Sequence, residues 1–232
     1  MADAQSNELQ QAVNELAKSP SIDSKRIGEA GLPSPNFERY ERVAQLASFT
    51  DLEALLSHPN PVVRGYAAKG ILQKDPKQAT ALYPLLADSI SVKTVNGCIG
   101  GSDTVGNIVA LALAWNADPA VMPDILARAK QDPHVPKEVY ETLSGYFANR
   151  QGQEKALRLT SDYLKAHGKD PSAYTIYVME TTRERTTFGK ERLWTKVYVD
   201  LKSKASSVGR PARGTLKLDL KTEEIVIMSP LP

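Results

Sequence analysis

The most constraining stretch of the chain runs from Ser57 to Leu72 and reads SHPNPVVRGYAAKGIL. Two prolines, Pro59 and Pro61, predict a tight turn, because proline fixes φ and cannot continue a preceding helix. The apolar residues after the turn recur at helical spacing, and several of them are small. The stretch therefore predicts a helix whose inner face lets a neighbouring helix come close. That inner face consists of Ala67, Gly70 and Ile71.

Similar units recur along the chain. Asp75-Pro76 and Asp118-Pro119 each start a helical unit, and the two pairs stand 43 residues apart. The turn prolines Pro59 and Pro133 are 74 residues apart, which corresponds to two units of 37. The segment 37–148 resembles HEAT and armadillo repeats, whose units span roughly 40–47 residues. Within it, the stretch 57–72 matches these repeats best. The resemblance implies stacked helical hairpins that present an extended surface to another protein.

The segments around the repeats have different patterns. Residues 5–18 have the apolar spacing of a short amphipathic helix. Residues 19–36 contain three prolines and two glycines, which predicts an irregular connection. The apolar spacing of residues 153–167 predicts a separate final helix that caps the stack.

Beyond Pro171 the pattern changes from helical to alternating, which is typical of strands. Strands are predicted at residues 174–179, 194–201, 216–220 and 225–228, and the last two form a β-hairpin around a short turn. The intervening segments 181–190 and 202–214 are polar and basic, and we expect them to be mobile. A sheet of so few strands is marginal alone, so one face should be covered by the last helices.

The fold class predicted from these patterns is α+β, a HEAT-like helical stack followed by a small antiparallel sheet. The expected organisation has three parts. An N-terminal helix and an irregular linker occupy residues 1–36, helical repeats occupy residues 37–168, and the sheet occupies residues 172–232.

Composition excludes several classes of protein. The hydrophobic content of 41% and charged content of 24% are near the globular average. No apolar run is long enough to cross a bilayer. Residues 1–150 carry a net charge of −3 and residues 151–232 one of +5, too small an excess to indicate nucleic-acid binding.

The single cysteine, Cys98, excludes an internal disulfide, and the N-terminus lacks the pattern of a secretory signal, so cytoplasm and periplasm both stay open.

The glycine-rich segment 96–106 reads NGCIGGSDTVG. Glycines let backbone amides point inward, and Ser102 or Asp103 stands where a helix is predicted to begin, so an anion could bind there. No lysine follows the glycines and no clear strand precedes them, so neither a Walker loop nor a dinucleotide fingerprint is present. The favoured interpretation is a flexible turn between two helices with Ser102 or Asp103 as N-cap.

Cys98 is the one candidate nucleophile of the chain. A thiolate needs a base, and His58 and His134 both fall in turns that could lie along one edge of the stack. An incidental thiol is the favoured interpretation, since free cysteine is commonly a small core residue. No metal-binding spacing of His, Cys, Asp or Glu occurs, so no metal and no cofactor are expected.

These observations predict a non-enzymatic protein-binding module, either a bacterial inhibitor or immunity-type protein or an assembly scaffold. The alternative is a hydrolase or transferase that uses Cys98 and the segment 96–106. A third, less favoured hypothesis is nucleic-acid binding by the basic C-terminal region. The predicted partner contacts are His58, Arg64, Ile99, Ser102, Asp103, Arg183 and Arg185. The last two would bind an acidic partner, and the resemblance gives Arg64 a competing role in pairing with an acid of a neighbouring unit.

Overall fold

The computed structural model describes residues 2–185, 191–201 and 213–230. The chain is of the α+β class, as predicted, and its contacts divide it into two compact units, Met1–Phe147 and Ala148–Pro232. The division falls inside a long helix and therefore before the boundary expected at residues 168–172. The resemblance to HEAT and armadillo repeats stays a prediction.

The first unit alternates helices with short strands. Its elements are α1 (Ala2–Leu16), β1 (Ser21–Ile27), β2 (Leu32–Pro33), α2 (Pro35–Leu46), α3 (Phe49–Leu55), α4 (Pro61–Lys74), a 3₁₀ helix (Pro76–Ala87), β3 (Ser91–Gly97), β4 (Ile99–Thr104), α5 (Val105–Asn116), α6 (Met122–Gln131) and the start of α7 (Lys137–Ala166).

Local capping signals explain where several helices begin. The side chain of Asn60 accepts a hydrogen bond from Val62 N at 2.8 Å, and Pro61 occupies the first turn of α4. This confirms the helix predicted after the proline turn. At α3, Ser48 and Asp51 form a reciprocal capping box, in which each side chain accepts from the other's backbone N–H.

The first sheet has the strand order β2-β1-β3-β4. β1 is parallel to β3, and β3 and β4 form an antiparallel hairpin. Two predictions are therefore wrong, because the segment 19–36 is not irregular and the segment 96–106 is not a flexible turn. The parallel partner of β1 lies some seventy positions further along the chain, as in the pair Ser21 and Lys93, and local pattern cannot reveal such a pairing.

Buried hydrogen bonds explain why a strand as polar as β1 is stable. The Asp23 carboxylate is buried and accepts from Ser21 Oγ at 2.7 Å, Ser34 Oγ at 2.6 Å and Asn36 Nδ2 at 3.0 Å. The Tyr66 hydroxyl of α4 accepts from Asp23 N at 2.7 Å. Buried polar groups are stable only when they are paired in this way. The network thus holds β1 against the start of α2 and the middle of α4.

Helix boundaries also differ from the predictions at three places. Residues 76–87 form a 3₁₀ helix with Pro84 inside it, because proline lacks the N–H that an α-helix needs there. The N-cap of α5 is Thr104, which accepts from Asn107 N, and not Ser102 or Asp103. The final helix predicted at residues 153–167 is not separate, because it is the second half of one helix, α7, which begins at Lys137 and continues through Gly152.

The core of the first unit lies between its helices and the covered part of the sheet. At its centre the Tyr40 and Tyr66 rings stack at 4.8 Å between centroids. The fully buried large side chains around them include Leu16, Leu52, Ile71, Leu82, Leu86, Leu113, Met122 and Leu143. Gly70 stands where α4 meets α3, since a Cβ there would lie 3.1 Å from a Leu52 methyl carbon, and this agrees with the close approach predicted for the inner face.

The second unit is a four-stranded antiparallel meander packed on the C-terminal half of α7. Its strands are β5 (Tyr174–Arg185), β6 (Glu191–Leu201), β7 (Arg213–Asp219) and β8 (Ile225–Ser229), in the order β5-β6-β7-β8. One face buries Val197, Val199, Leu216 and Leu218 against Ala156, Leu159 and Leu164 of the helix. The predicted β7–β8 hairpin and the predicted helical cover of one face are both confirmed.

The two polar segments predicted between these strands are described only in part. Residues 181–185 belong to β5, so this portion is a strand and not a loop. Residues 213 and 214 begin β7. The remainders, 186–190 and 202–212, lie outside the described residues. Among the helices that are described, none combines the length and apolar character needed to cross a bilayer.

Candidate functional site

The β3–β4 hairpin gives the first sheet an open edge. A two-residue turn, Gly97-Cys98, joins the strands, and Asn96 pairs with Ile99 across it. Gly97 has a φ of +59°, as the first central position of a type II′ turn requires, and glycine adopts this conformation without strain. β4 is the last strand in the sheet order, so one side of it has no neighbouring strand within the described residues.

The hairpin register determines which backbone groups of β4 face that open side. Residues that flank a two-residue turn form a hydrogen-bonded pair, and such pairs alternate with non-hydrogen-bonded pairs. Asn96 and Ile99 therefore bond to each other, whereas Gly100 and Ser102 direct N–H and C=O away from β3. The other side of β3 agrees with this assignment, because the Gly97 carbonyl accepts from Gly28 N at 2.9 Å.

Two exposed apolar side chains, on different strands, lie at the turn end of this sheet. Leu32 of β2 pairs with Ile27 of β1, which pairs with Gly97 of β3. Leu32 is 62% exposed, and Ile99, beside the turn, is 73% exposed. Asn96, the partner of Ile99, precedes Gly97 by one residue, so Ile99 lies on the opposite face of the sheet from Ile27 and Leu32. We call the exposed Ile99 side chain, directly beside the open edge of β4, the apolar tip.

His58 and Arg64, two predicted contact residues, make internal contacts instead. His58 Nδ1 accepts from Asn60 N at 3.1 Å within the proline turn. Arg64 pairs with Asp88, whose backbone carbonyl accepts from Gly106 N at the start of α5. This places Arg64 near the base of the hairpin. β4 rises roughly 17 Å between its first and last residues, so the base is well separated from Ile99.

Ser102 and Asp103 lie on β4 but differ in what their side chains do. Ser102 is exposed. The Asp103 carboxylate accepts from Thr104 N and from Asn107 Nδ2, both at 2.8 Å, and so stabilises the strand-to-helix junction. Of the predicted residues in the segment 96–106, Ile99 and Ser102 are therefore available to a partner.

Arg183 and Arg185 belong to the second unit. Their backbones lie in β5, where Arg183 pairs with Leu193 and Arg185 with Glu191 of β6. Their side chains lie outside the described part of the structure. The first unit alone therefore carries the contact surface formed by Ile99 and Ser102.

Cys98 occupies the exposed turn of the hairpin. Of the two histidines proposed as its base, His58 uses its ring Nδ1 to accept a hydrogen bond within its own turn. In the described part of the chain, no hydrogen bond joins Cys98 to a histidine, and no group of three or more His, Cys, Asp or Glu could hold a metal ion. The enzymatic alternative thus stays a hypothesis with no assembled base behind it.

Sequence reasoning missed a half-buried lysine on α4. Lys69 Nζ lies 4.5 Å from the Phe37 ring centroid, and burial lowers the pKa of its ammonium group. The side chain borders a cleft of about 220 Å³ shared with Leu72, Gln73, Ala112 and Asn116. A second cation, five residues after Arg64 in the otherwise apolar and small-residue stretch PVVRGYAAKGIL, is the signal that could have revealed it.

The open edge of β4 and the apolar tip beside it form the candidate site, built from elements that the core and the Asp23 network hold in place. No family model matches this chain, and no curated protein or solved structure matches it either.

Proposed function

We propose that the protein is a non-enzymatic protein-binding module that accepts an extended segment of a partner protein as an added strand beside β4. The observation that carries the proposal is the open edge of β4, where Gly100 and Ser102 direct backbone donors and acceptors outward. In strand addition, main-chain hydrogen bonds supply affinity, and contacts with alternate side chains supply specificity.

The composition of β4 supports this proposal. Natural sheets protect exposed edges with lysine, proline or very short strands, because an open edge invites pairing with another chain. β2, at the other edge, has two residues and ends in Pro33. β4 has six residues and contains neither lysine nor proline. Its one charged residue, Asp103, is hydrogen-bonded to the start of α5. β4 therefore lacks the features that normally prevent strand addition.

The apolar tip supplies a place for a side-chain anchor. A partner strand beside β4 would pass Ile99, whose exposed side chain could be covered by an apolar residue of the partner. Burying an exposed isoleucine contributes about 1.5–3 kcal/mol in favourable cases. A bacterial inhibitor or immunity-type protein and an assembly scaffold would both use such a surface, and the identity of the partner distinguishes them.

The experiment begins with a pull-down from the native organism, followed by identification of the bound chain and calorimetric titration with the purified partner. Ser102→Pro removes one outward donor and leaves the β3–β4 ladder intact, because that N–H points away from β3. We expect affinity to fall by at least about tenfold, with no change in melting temperature. Ser102→Ala keeps the donor and is the matched control, for which affinity should stay at the wild-type value.

Two further measurements locate the contact. Ile99→Lys should weaken binding, whereas Met228→Lys, at another exposed apolar side chain on an edge strand of the second sheet, should not. Amide hydrogen exchange at Gly100 and Ser102 should slow in the complex. Unchanged exchange at these amides, or affinity lost through Met228→Lys instead, would overturn strand addition to β4.

A further inference from the structure

A cleft between α4 and α5 contains a lysine for which the protein-binding proposal has no use. Lys69 and Gln73 are four residues apart on α4, so their side chains are neighbours on one face of the helix. Ala112 and Asn116 have the same spacing on α5. Together with Leu72, these residues line a cleft of about 220 Å³, which we call the α4–α5 cleft. It combines apolar walls with one cation and two side-chain amides.

The ammonium group of Lys69 has attractive neighbours but no hydrogen-bond acceptor. Nζ lies 4.5 Å from the ring centroid of Phe37 and 5.8 Å from that of Tyr40. Aromatic rings attract a cation, but they do not replace the oxygen acceptors that its three N–H donors require. Within the described residues, no oxygen accepts a hydrogen bond from Nζ and no carboxylate forms an ion pair with it. The ammonium group can therefore bind an anion.

The one acid whose charge acts on Lys69 has a different partner. Glu41 favours the charged form of Lys69 through its own charge, but the Glu41 carboxylate forms an ion pair with Lys25 at 2.9 Å. Burial has the larger effect and lowers the pKa of Lys69, because it disfavours the charged form. A methionine would contact Phe37 without this cost, so packing alone does not require a charge here. A bound anion would offset the cost.

Gln73 is a second donor, and the core fixes its orientation. The Tyr40 hydroxyl donates to Gln73 Oε1 at 2.7 Å, and the buried Tyr40 ring stacks on Tyr66. Burial raises the pKa of Tyr40 to about 12, so its hydroxyl remains a donor. With its oxygen engaged, Gln73 presents Nε2, from which no described residue accepts. An anion that binds Lys69 thus has a second donor one helical turn away.

The size and the walls of the α4–α5 cleft restrict the anion. Its volume is below the roughly 300–1,000 Å³ typical of pockets for drug-sized ligands, so the ligand must be small. Leu72 and Ala112 offer apolar contacts that a bare phosphate or sulfate could not use. A carboxylate can carry an apolar body, and its two oxygens can accept from two donors at once.

We propose that the α4–α5 cleft binds a small monocarboxylic acid with an apolar body. Its carboxylate would accept hydrogen bonds from Lys69 Nζ and Gln73 Nε2, and its body would lie against Leu72 and Ala112. The site depends on two helices that are adjacent in the fold, and α5 begins some thirty residues after α4 ends. The sequence pattern of either helix alone therefore does not reveal it.

The test is an NMR titration of the full-length protein with sodium benzoate, followed at the backbone amides of Ala112 and Asn116 and at the side-chain amide of Gln73. Lys69→Met should lower affinity by at least about tenfold, the loss of one hydrogen bond between charged groups. Its melting temperature should stay the same or rise, because a half-buried charge is removed. Lys74→Met, at an exposed lysine of α4 outside this cleft, is the matched control and should keep the wild-type affinity.

Two further comparisons separate the charge of the ligand from its apolar body. Benzamide, the neutral analogue, should bind the wild-type protein at least about tenfold more weakly than benzoate, and it should bind Lys69→Met as well as wild type. Ala112→Leu should fill the cleft and abolish benzoate binding, although Lys69 is still present. Equal affinity for benzamide and benzoate would overturn the role of Lys69.

A carboxylate on an apolar body occurs both in free small acids and at the C-terminus of a peptide. N-acetylphenylalanine resembles such a terminus, and it should bind more weakly than benzoate because the cleft is too small for its additional amide. Tighter binding would overturn the assignment to a free acid. Absence of saturable shifts with benzoate, or shifts that Lys69→Met leaves unchanged, would overturn the site itself. None of these measurements involves β4, so they are independent of the protein-binding proposal.

Discussion

Arg64 donates a hydrogen bond from Nε to the Asp88 carboxylate at 2.7 Å, and both side chains are 12% exposed. A terminal nitrogen of the same guanidinium donates to the carbonyls of His58 and Pro59, at 2.8 and 3.0 Å. One side chain thus ties the proline turn and α4 to the residue that follows the 3₁₀ helix. These contacts give Arg64 a structural role within the first unit.

Replacing Arg64 should therefore destabilise the first unit. Arg64→Met leaves a largely buried carboxylate without its cation, and such a loss typically costs about 3 kcal/mol. Arg42, which forms an exposed ion pair with Glu8, is the matched control, and Arg42→Met should change stability by less than about 1 kcal/mol. Urea denaturation measures both variants. Equal effects at the two positions would show that Arg64 has no special structural role.

Gly106 should tolerate no side chain. A Cβ at this position would lie 2.7 Å from the Leu86 carbonyl oxygen and 3.1 Å from that of Asp88, and backbone atoms cannot move aside cheaply. We expect Gly106→Ala to destabilise the protein by about 1–3 kcal/mol. At Gly145 of α7, an added Cβ would have no neighbouring element within 4 Å among the described residues, so Gly145→Ala should stabilise by about 0.5–1 kcal/mol. Thermal melting of the two variants should thus shift in opposite directions.

Tyr66→Phe tests how much the hydrogen bond between α4 and β1 contributes to stability. The change removes the hydroxyl that accepts from Asp23 N and leaves a buried donor without a partner, at a cost of about 1–3 kcal/mol. Tyr146→Phe, at an exposed tyrosine, should be neutral. Hydrogen exchange at Asp23 N is the decisive measurement, because it should accelerate in Tyr66→Phe alone. Unaltered exchange would mean that this bond does not hold β1.

The Arg213–Asp200 pair should give the second unit a measurable acid dependence. Hydrogen bonding to the guanidinium holds the pKa of the Asp200 carboxyl below its usual value of 3.8. Because the pKa of Asp200 is depressed in the folded state, the ion pair stabilises the fold at pH values above 3.8. This stabilisation is lost as the pH falls through the lower, folded-state pKa. Arg213→Gln should therefore melt at a lower temperature than wild type at neutral pH, and the difference should shrink in strong acid. Carboxyl NMR should show a higher pKa for Asp200 in the variant, and an unchanged value would contradict the pairing.

Local signals in the sequence were sufficient for several elements. The helix after the proline turn was predicted because Asn60 and Pro61 act within a few residues of where it begins. The β7–β8 hairpin was predicted because two alternating strands flank a short turn. The helical cover of the second sheet followed from the small number of strands. The first two depend on residues that are neighbours along the chain, and the third depends only on how many strands there are.

The candidate site required tertiary information. Segment 96–106 drew attention through its glycines, and two of its predicted partner contacts, Ile99 and Ser102, are exposed in the structure. The same pattern is compatible with a flexible turn, because a glycine-rich strand has low intrinsic strand propensity. Pairing of β3 with the distant β1 makes this segment a strand, and the position of β4 at the end of the sheet opens its edge.

The sequence by itself determined the α+β class, the start of α4 after its proline turn and the C-terminal hairpin, since these follow from propensity and spacing over short distances. Only the tertiary structure decided that the polar segment 21–27 is a strand, because the hydrogen bonds that bury Asp23 come from Ser34, Asn36 and Tyr66. It also decided that Lys196 faces Lys217, because register between strands is set by the whole sheet. Contacts between residues far apart in sequence have no local signature, and the pairing of β1 with β3, which places β4 at the edge of its sheet, is such a contact.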